Sequence, residues 1–466
     1  MNWKNLLIKE HFVKEDDSFE LLERNDYDTI ICSTLFRRLQ DKAQVFPLEE
    51  DDYVRTRLTH SLEVSAIGKK LGEYVFNRLK ELHVDEWFEN HTAKDFSDVL
   101  LCAGLIHDIG NPPFGHFGEY AIREWFQNNL KDLKLGEIGV SDFLTEGQLE
   151  DLYMFEGNAQ SLRLLSKTPY LGETNGFNLS YAVLGSIIKY PICSEMLKRK
   201  NTCGYKKIGY YQSEKQLFGE IDFKTGMNGC RHPLSYLLEA ADDIAYRTSD
   251  LEDAMVKKVI SFHQICRVFE QCMEKMDASP KAEKETLDRI SLLHQLYQEE
   301  IDRNKRKPEL TSVQRWNQHM KELMIKEAGD IFVEHYEEIM GGNYKGDLFQ
   351  NTASECLIQM IAHLSERYIY TSSIKTRTEL YGRRVIHSLM SQFMPAAVLY
   401  DTGHKMSFIE KRTIDTVSNF YKSMYHEEAQ GKTAQEKLYL RILMITDYIS
   451  GMTDNYAKKL YQDLFS

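Results

Sequence analysis

The strongest constraint on how this chain folds is a stripe. His60, Val64, Ile67, Leu71, Val75 and Leu79 recur at steps of 4, 3, 4, 4 and 4. A strand alternates every two residues and cannot gather these side chains on one face, whereas a helix of about 3.6 residues per turn does. The spacing predicts a long helix with Thr59 as its cap. An imidazole heads its apolar face. A single histidine in such a place is ordinarily a hydrogen-bonded core residue, so His60 matters chemically only if other ligands meet it.

A second helix is written into residues 100–119, LLCAGLIHDIGNPPFGHFGE. Leu100, Ala103 and His107 share a face, and Gly110-Asn111-Pro112-Pro113 stops the helix. His107 and Asp108 then fall on the last turn, where side chains can leave the core and reach a cavity. Gly115, His116, Gly118 and Glu119 are expected to form a polar, glycine-bearing corner beyond the stop. A helix end that delivers His-Asp, with a second His and a Glu close behind, has the composition of a metal site beside an acid–base group.

A third helix starts at His232-Pro233. Leu234, Leu238, Asp242, Tyr246 and Asp250 follow at intervals of four, and Asp242 lies inside the apolar run SYLLEAADDIAY. A carboxylate there needs a cation or a partner, because unpaired burial is costly. His60, the pair His107-Asp108 and Asp242 thus come from three separate helical segments. Two imidazoles and two carboxylates suit Mn, Mg or Fe better than a thiolate-selecting metal. They also leave positions for water and substrate, as a catalytic ion requires. Spacing alone does not bring the four together.

The remainder reads as helical. Residues 30–44, containing Phe36-Arg37-Arg38-Leu39, form a helical pattern closed by Pro47. Residues 131–150 are acidic and expected as a surface insert, and residues 155–165 and 181–190 return to helical spacing. Residues 251–345 are highly charged and carry no cluster of candidate ligands, which predicts an outer helical hairpin broken at Pro308. Residues 346–466 are helical, with irregular stretches expected at 368–380 and 394–404. No alternating strand run, internal repeat, GxGxxG or P-loop occurs. The expected class is all-α: a core over 1–260, a charged helical insertion over 261–345, and a C-terminal helical region over 346–466 packing on the core.

Charge narrows the partners. The formal net charge of −13 disfavours indiscriminate nucleic-acid binding, which rests on phosphate neutralisation. The clearest local positive patch is KRKNTCGYKK, Lys198 to Lys207. Such a run is ordinarily a solvated surface, but beside a metal it is suited to clamp phosphate. The eight cysteines include no CxxC pair, which points to a reducing compartment and no zinc ribbon. The N-terminus lacks an apolar signal segment, and no apolar run approaches the ~18–20 residues of a membrane span. A soluble cytoplasmic protein is expected.

The order H…HD…D on helices resembles the HD-domain metal phosphohydrolases. Longer blocks sharpen the likeness: RTRLTHSLEVS, HDIGNPPFGHFGE, FEGNAQSLRLL, KYP, RHPLSYLLEAADDIAYRTSDLEDA and DYISGMTD are similar to those of the bacterial deoxyguanosinetriphosphate triphosphohydrolases. Together with FRRLQDKAQVF they frame nearly the whole chain. The resemblance implies an HD-type catalytic core within 1–260. It also implies hydrolysis of a deoxynucleoside triphosphate, dGTP favoured, to deoxynucleoside and tripolyphosphate.

By the same resemblance, His60, His107, Asp108 and Asp242 hold a divalent metal, Mn or Mg ahead of Fe. Asp242 is chosen over Asp243 because the family motif places a tyrosine four residues and an aspartate eight residues after the ligand, which Tyr246 and Asp250 fit. His116 and Glu119 match the family's catalytic histidine and its acidic partner. Water held on the metal would attack the α-phosphorus, and His116 would protonate the leaving 5′-oxygen.

Further carry-over puts Arg57 near the phosphates and Gln44 at the sugar 3′-OH. Tyr246 would stack by the deoxyribose and exclude a 2′-OH, and Asp250 would bond the sugar. Lys189, Tyr190 and Lys207 resemble the triphosphate contacts, with Lys206 adjacent to the last. KAQVF stands where the family often has KTQVF. Phe155 stands where related animal enzymes have a histidine before the glutamate that Glu156 matches. Family members assemble as homo-oligomers, commonly hexamers, and some respond to nucleotides or single-stranded DNA; the acidic balance gives the DNA response little support. Two rival readings are another HD phosphodiesterase or nucleotidase, and a non-catalytic nucleotide- or DNA-binding regulator on the same scaffold.

Overall fold

The structure, a computed structural model, describes residues 1–12, 25–48, 53–168, 176–198, 205–276 and 278–465. The middle of the basic Lys198–Lys207 run and much of the turn-rich stretch after residue 168 lie outside the described residues. The helices that build the site and its supports are labelled α1 (Arg57–Glu81), α2 (Lys94–Ile106), α3 (Gly115–Asn129), α4 (Gly157–Lys167), α5 (Pro233–Val256), α6 (Pro280–Asp302), α7 (Pro308–Glu334), α8 (Ser373–Leu399) and α9 (Ala434–Ser450). The all-α class holds. Among the described residues the regular strands are Lys134–Leu135 and Ile138–Gly139, a two-rung antiparallel hairpin. No described helix is long and apolar enough to cross a membrane.

The whole His60–Leu79 stripe is buried along α1. The helix starts earlier than expected. Thr56, not Thr59, is the cap, and the two threonines bond reciprocally as a capping box. His60 therefore sits one turn inside, on rigid helix. α2 lies against α1 at close range, because a Cβ at Gly104 would stand 2.6 Å from the Ser65 Cα. Only a residue without a side chain allows that approach, and it brings the α2 C-terminus beside His60. α5 packs across both helices through Leu237, Leu238, Ala241, Ile244 and Ala245, all buried.

Among the described residues three apolar clusters fill the interior, and they do not follow the expected division at residues 260 and 345. One joins α1, α2 and α5 to Met324, Ala328 and Phe332 of α7. A second joins α3 to α8 and α9, so the C-terminal region shares a core with residues 114–159. A third joins Leu251–Phe269, α6 and the start of α7. The charged 261–345 stretch is thus not an outlying hairpin. Its two long helices meet on either side of Pro308, but Val313, Trp316, Met320, Met324, Ala328 and Phe332 form a buried stripe that ties α7 into two clusters. The charges on its outer faces hid that stripe.

Two further expectations are corrected. The 131–150 insert is anchored, since Val140 and Leu144 are buried in the second cluster. The stretches expected to be irregular at 368–380 and 394–404 are largely one helix, α8, which runs through Pro395. Proline removes a single backbone donor. Met390, Phe393, Met394, Ala396, Ala397 and Val398 are buried on both sides of it, and that packing outweighs the lost bond. A turn of π-helix at Ser365–Ile369 precedes α8.

α5 is capped by a fully buried histidine. His232 Nδ1 accepts the Leu234 N–H at 3.1 Å, and Nε2 donates to the Leu6 carbonyl at 3.1 Å. Burial pushes its pKa down from 6.5 to about 4. The neutral ring is the folded form, so this stabilisation is complete above pH 6.5 and is lost as pH falls through 6.5 towards 4. Wild type is expected to lose about 3 kcal/mol more than His232→Asn between neutral pH and pH ~4. Urea unfolding of both proteins at the two pH values checks this.

Candidate metal centre and substrate cavity

The three predicted helices converge. His60 from α1, His107 at the end of α2 and Asp242 from α5 each offer a donor atom within 4.8 Å of the others. His60 Nε2 lies 3.0 Å from Asp242 Oδ1, and His107 Nε2 lies 3.7 Å from the same oxygen. The imidazole rings meet edge to face, with centroids 5.4 Å apart. His107 Nδ1 donates to the Gly104 carbonyl at 2.8 Å, which fixes the tautomer and leaves the Nε2 lone pair facing inward. Among the described residues that buried Nε2 has no hydrogen-bond partner, nor has His60 Nδ1. An unpartnered His107 Nε2 and the His60 Nε2, both turned to one Asp242 oxygen, fit a divalent cation. Without one, burial works against the His107 imidazolium, but Asp108 and Asp242 outweigh it and raise its pKa to about 9.

Asp108 stands beside this trio. Its Oδ1 is 3.6 Å from His107 Nε2 and accepts the Asn111 amide, while Oδ2 pairs with Arg57 Nη1. Burial opposes the carboxylate charge, but Arg57, His107 and His60 hold its pKa down to about 2. Arg57 is 3% exposed. It lines the cavity, yet its guanidinium is committed to Asp108. The adjacent aspartates of α5 divide: Asp242 faces the histidines, and Asp243 lies 3.8 Å from Arg247 Nε. Burial, then repulsion from Asp242, raises Asp243 to about 7.

His116 is on the first turn of α3, not on a loop corner. Phe114 at φ 65° and Gly115 at φ 62° make a left-handed turn that launches the helix directly. The His116 side chain is 79% exposed, with Nδ1 3.5 Å from Glu119 Oε2. Glu119 is buried, and its Oε1 has no partner among the described residues. Arg123 Nη2 bridges Glu119 and Glu156 at 3.1 Å each, and Lys207 Nζ holds Glu156 at 3.0 Å. Burial opposes the Glu119 charge, but His116, Lys207 and Arg123 keep its carboxyl below the usual range. Glu156 is pushed up by burial and by Glu119. Phe155 is buried in the second cluster.

These groups share one cavity of about 340 Å³, lined also by Gln44, Lys189, Tyr190 and Tyr246. The lysines expected on the triphosphate are held by carboxylates: Lys189 Nζ is 2.5 Å from Glu239, and Lys207 is on Glu156. Gln44 Oε1 is buried without a partner among the described residues. The Tyr246 hydroxyl touches that of Tyr370. Asp250 does not line the cavity. It is 1% exposed, one helical turn beyond Tyr246, with neither oxygen hydrogen-bonded among the described residues, and burial pushes its pKa up to about 8.

Several groups that line the cavity or brace its lining were missed by the sequence reading. Arg123 follows Glu119 by one helical turn, a spacing that predicts pairing. Asn111 was read only as part of a helix stop. Tyr370 and Lys375 lie in a stretch without periodicity, and no local signal pointed to them. Lys375 Nζ sits 4.3 Å from the centroid of the Tyr370 ring and lines the cavity.

Residues 57–152 match the HD domain family, a span that takes in His60, His107, Asp108, His116 and Glu119 but not Asp242. A deoxyguanosinetriphosphate triphosphohydrolase-like protein of Listeria monocytogenes is 41% identical, over 94% of this chain and 93% of its own. A protein of the same description from Pseudomonas aeruginosa is 33% identical over 100% of this chain and 98% of its own. The deoxyguanosinetriphosphate triphosphohydrolase of Yersinia pseudotuberculosis is 30% identical over 97% of this chain and 95% of its own.

Removing a donor is expected to act on the cation directly. His107→Ala and Asp242→Asn should each weaken Mn binding by more than about 100-fold, and Asn111→Ala, which only releases Asp108, by about 10-fold. Calorimetric titration of the folded variants, with helicity checked by circular dichroism, measures this order.

Proposed function

The chain belongs to the deoxyguanosinetriphosphate triphosphohydrolase family of HD-domain proteins, and from that premise we propose that it hydrolyses a deoxynucleoside triphosphate, dGTP foremost, to deoxynucleoside and tripolyphosphate. One observation carries the reading. A trio of cation-binding side chains, an exposed His116 backed by buried Glu119, and the cationic Arg57, Lys189 and Lys207 all face a single cavity.

A divalent cation, Mn or Mg, held by His60, His107, Asp108 and Asp242, supplies Lewis acidity and lowers the pKa of water when bound. The chain's own groups do the rest. Arg57 and Asn111 set the Asp108 carboxylate. Lys189 and Lys207 exchange Glu239 and Glu156 for phosphate oxygens, with Tyr190 beside them. Water attacks the α-phosphorus, the bond to the 5′-oxygen breaks, and that oxygen takes a proton from His116. Glu119 orients the imidazole. Gln44 meets the 3′-OH. Tyr246, braced by Tyr370, closes the wall where a 2′-OH would project. Asp250 bonds the sugar only if Tyr246 swings aside.

Incubation with each of the four dNTPs and with GTP, plus Mn or Mg, tests this by chromatography of the products. Deoxyguanosine and tripolyphosphate are expected from dGTP, with GTP far slower. His116→Ala should lower kcat by about 10²- to 10⁴-fold. Release of dGMP, or stepwise release of orthophosphate, would instead identify a different HD phosphohydrolase. Nucleotide binding without any turnover would identify a regulator.

A further inference from the structure

We propose that Asp454, near the C-terminus, is a positioning residue for His116. Its carboxylate fixes the left-handed turn that aims the first residues of α3 into the cavity. The inference deepens the reading of His116 as proton donor and rests on it.

Asp454 is 2% exposed, and its carboxylate is spent on two backbone donors. Oδ1 accepts the Phe114 N–H at 2.9 Å, and Oδ2 accepts the Ala43 N–H at 3.0 Å. Both acceptors hold cavity wall. Ala43 precedes Gln44, and Phe114 lies two residues before His116. Phe114 is a bulky residue at φ 65°, a conformation that persists only where surrounding structure imposes it. The C-terminal half imposes it from two sides. Asp454 ties down the backbone, and the Phe114 ring lies on bare backbone at Gly382 of α8, where a Cβ would stand 2.6 Å from the ring.

A second bolt runs alongside. The buried Lys42 donates to the Asn111 carbonyl at 2.5 Å and to the Ser450 carbonyl, the last residue of α9, at 2.9 Å. Residues 42–44, 111–116 and 450–454 therefore form one three-way junction behind the cavity. The Asp-Tyr-Ile-Ser-Gly-Met-Thr-Asp block at 447–454 contributes no side chain to the cavity lining, yet one face of it is built onto the turn that carries the acid. A turn shifted by a fraction of an ångström moves the imidazole off the leaving oxygen, and such misplacement is expensive in rate.

Asp454→Asn keeps the shape but replaces one acceptor oxygen with a donor, so one of the two backbone N–H groups loses its partner. The expected result is a kcat about 10- to 100-fold lower, with KM changed by less than about 3-fold. Mn affinity should be unchanged, because Asp454 touches no donor of the cation site. With a 5′-thio analogue of dGTP, whose leaving thiolate needs no proton donor, the loss should shrink to under about 3-fold. A readout free of turnover is the carbethoxylation rate of His116 by diethylpyrocarbonate, followed by mass spectrometry. His83, exposed and paired with Glu89, is the internal reference. The ratio should shift by at least about 2-fold if the turn relaxes.

Gly382→Ala displaces the same turn through the Phe114 ring and should give the same signature, which keeps the idea testable if Asp454→Asn does not fold. An unchanged modification ratio in both folded variants overturns the proposal, as does an equal loss with the oxygen and sulfur substrates. If wild type releases no tripolyphosphate, the reading of the reaction fails instead, and the modification ratio still decides whether Asp454 sets His116.

Discussion

At Gly104 the backbone of α2 runs so near α1 that a single added methyl would collide with the Ser65 backbone. Everything at the site depends on that approach. It sets the distance between His60 and His107, and it leaves the Gly104 carbonyl free at the α2 terminus to take the His107 Nδ1 proton. With the tautomer fixed, the opposite nitrogen must face Asp242. Spread the two helices by one side chain and the donors separate, leaving buried polar atoms with neither cation nor partner.

Charge is then layered outward from this contact. Asp108 is neutralised by Arg57, Glu119 and Glu156 by Arg123 and Lys207, and Glu239 by Lys189 and Arg231. Of the cations that line the cavity, Arg57, Lys189 and Lys207 each stand on a carboxylate. Such a cavity is costly to fold and is stabilised elsewhere, by three apolar clusters that surround it. The second cluster, built from α3, α8 and α9, explains why the last part of the chain matters to a site whose donors come from residues 60 to 242: it supports the turn from which His116 projects.

Much of this was written locally. The period of the α1 stripe, the stop after His107 and the fourfold spacing through Asp242 each predicted a helix and the residue it presents, and those helices formed. Local reading failed where long-range packing overrides a local signal. Thr59 looked like a cap but serves as the partner of Thr56. Pro395 looked like a break but lies inside a helix whose apolar face is buried on both sides. The α7 stripe was masked by charges on the opposite face. Glycine and proline around His116 suggested a loop, where a two-residue left-handed turn launches a helix.

By itself, then, the amino-acid order determined the class and the helices that present the candidate donors, because periodicity and stop signals act over a few neighbouring residues. Only the tertiary structure decided which of those residues meet. It gathered His60, His107 and Asp242, set Asp108 on Arg57, buried Asp250 beyond the cavity wall, and brought Lys42 and Asp454 to the back of the turn that precedes His116. Contacts between residues hundreds of positions apart arise from surfaces fitting together in three dimensions, and one sequence carries no local period that encodes them.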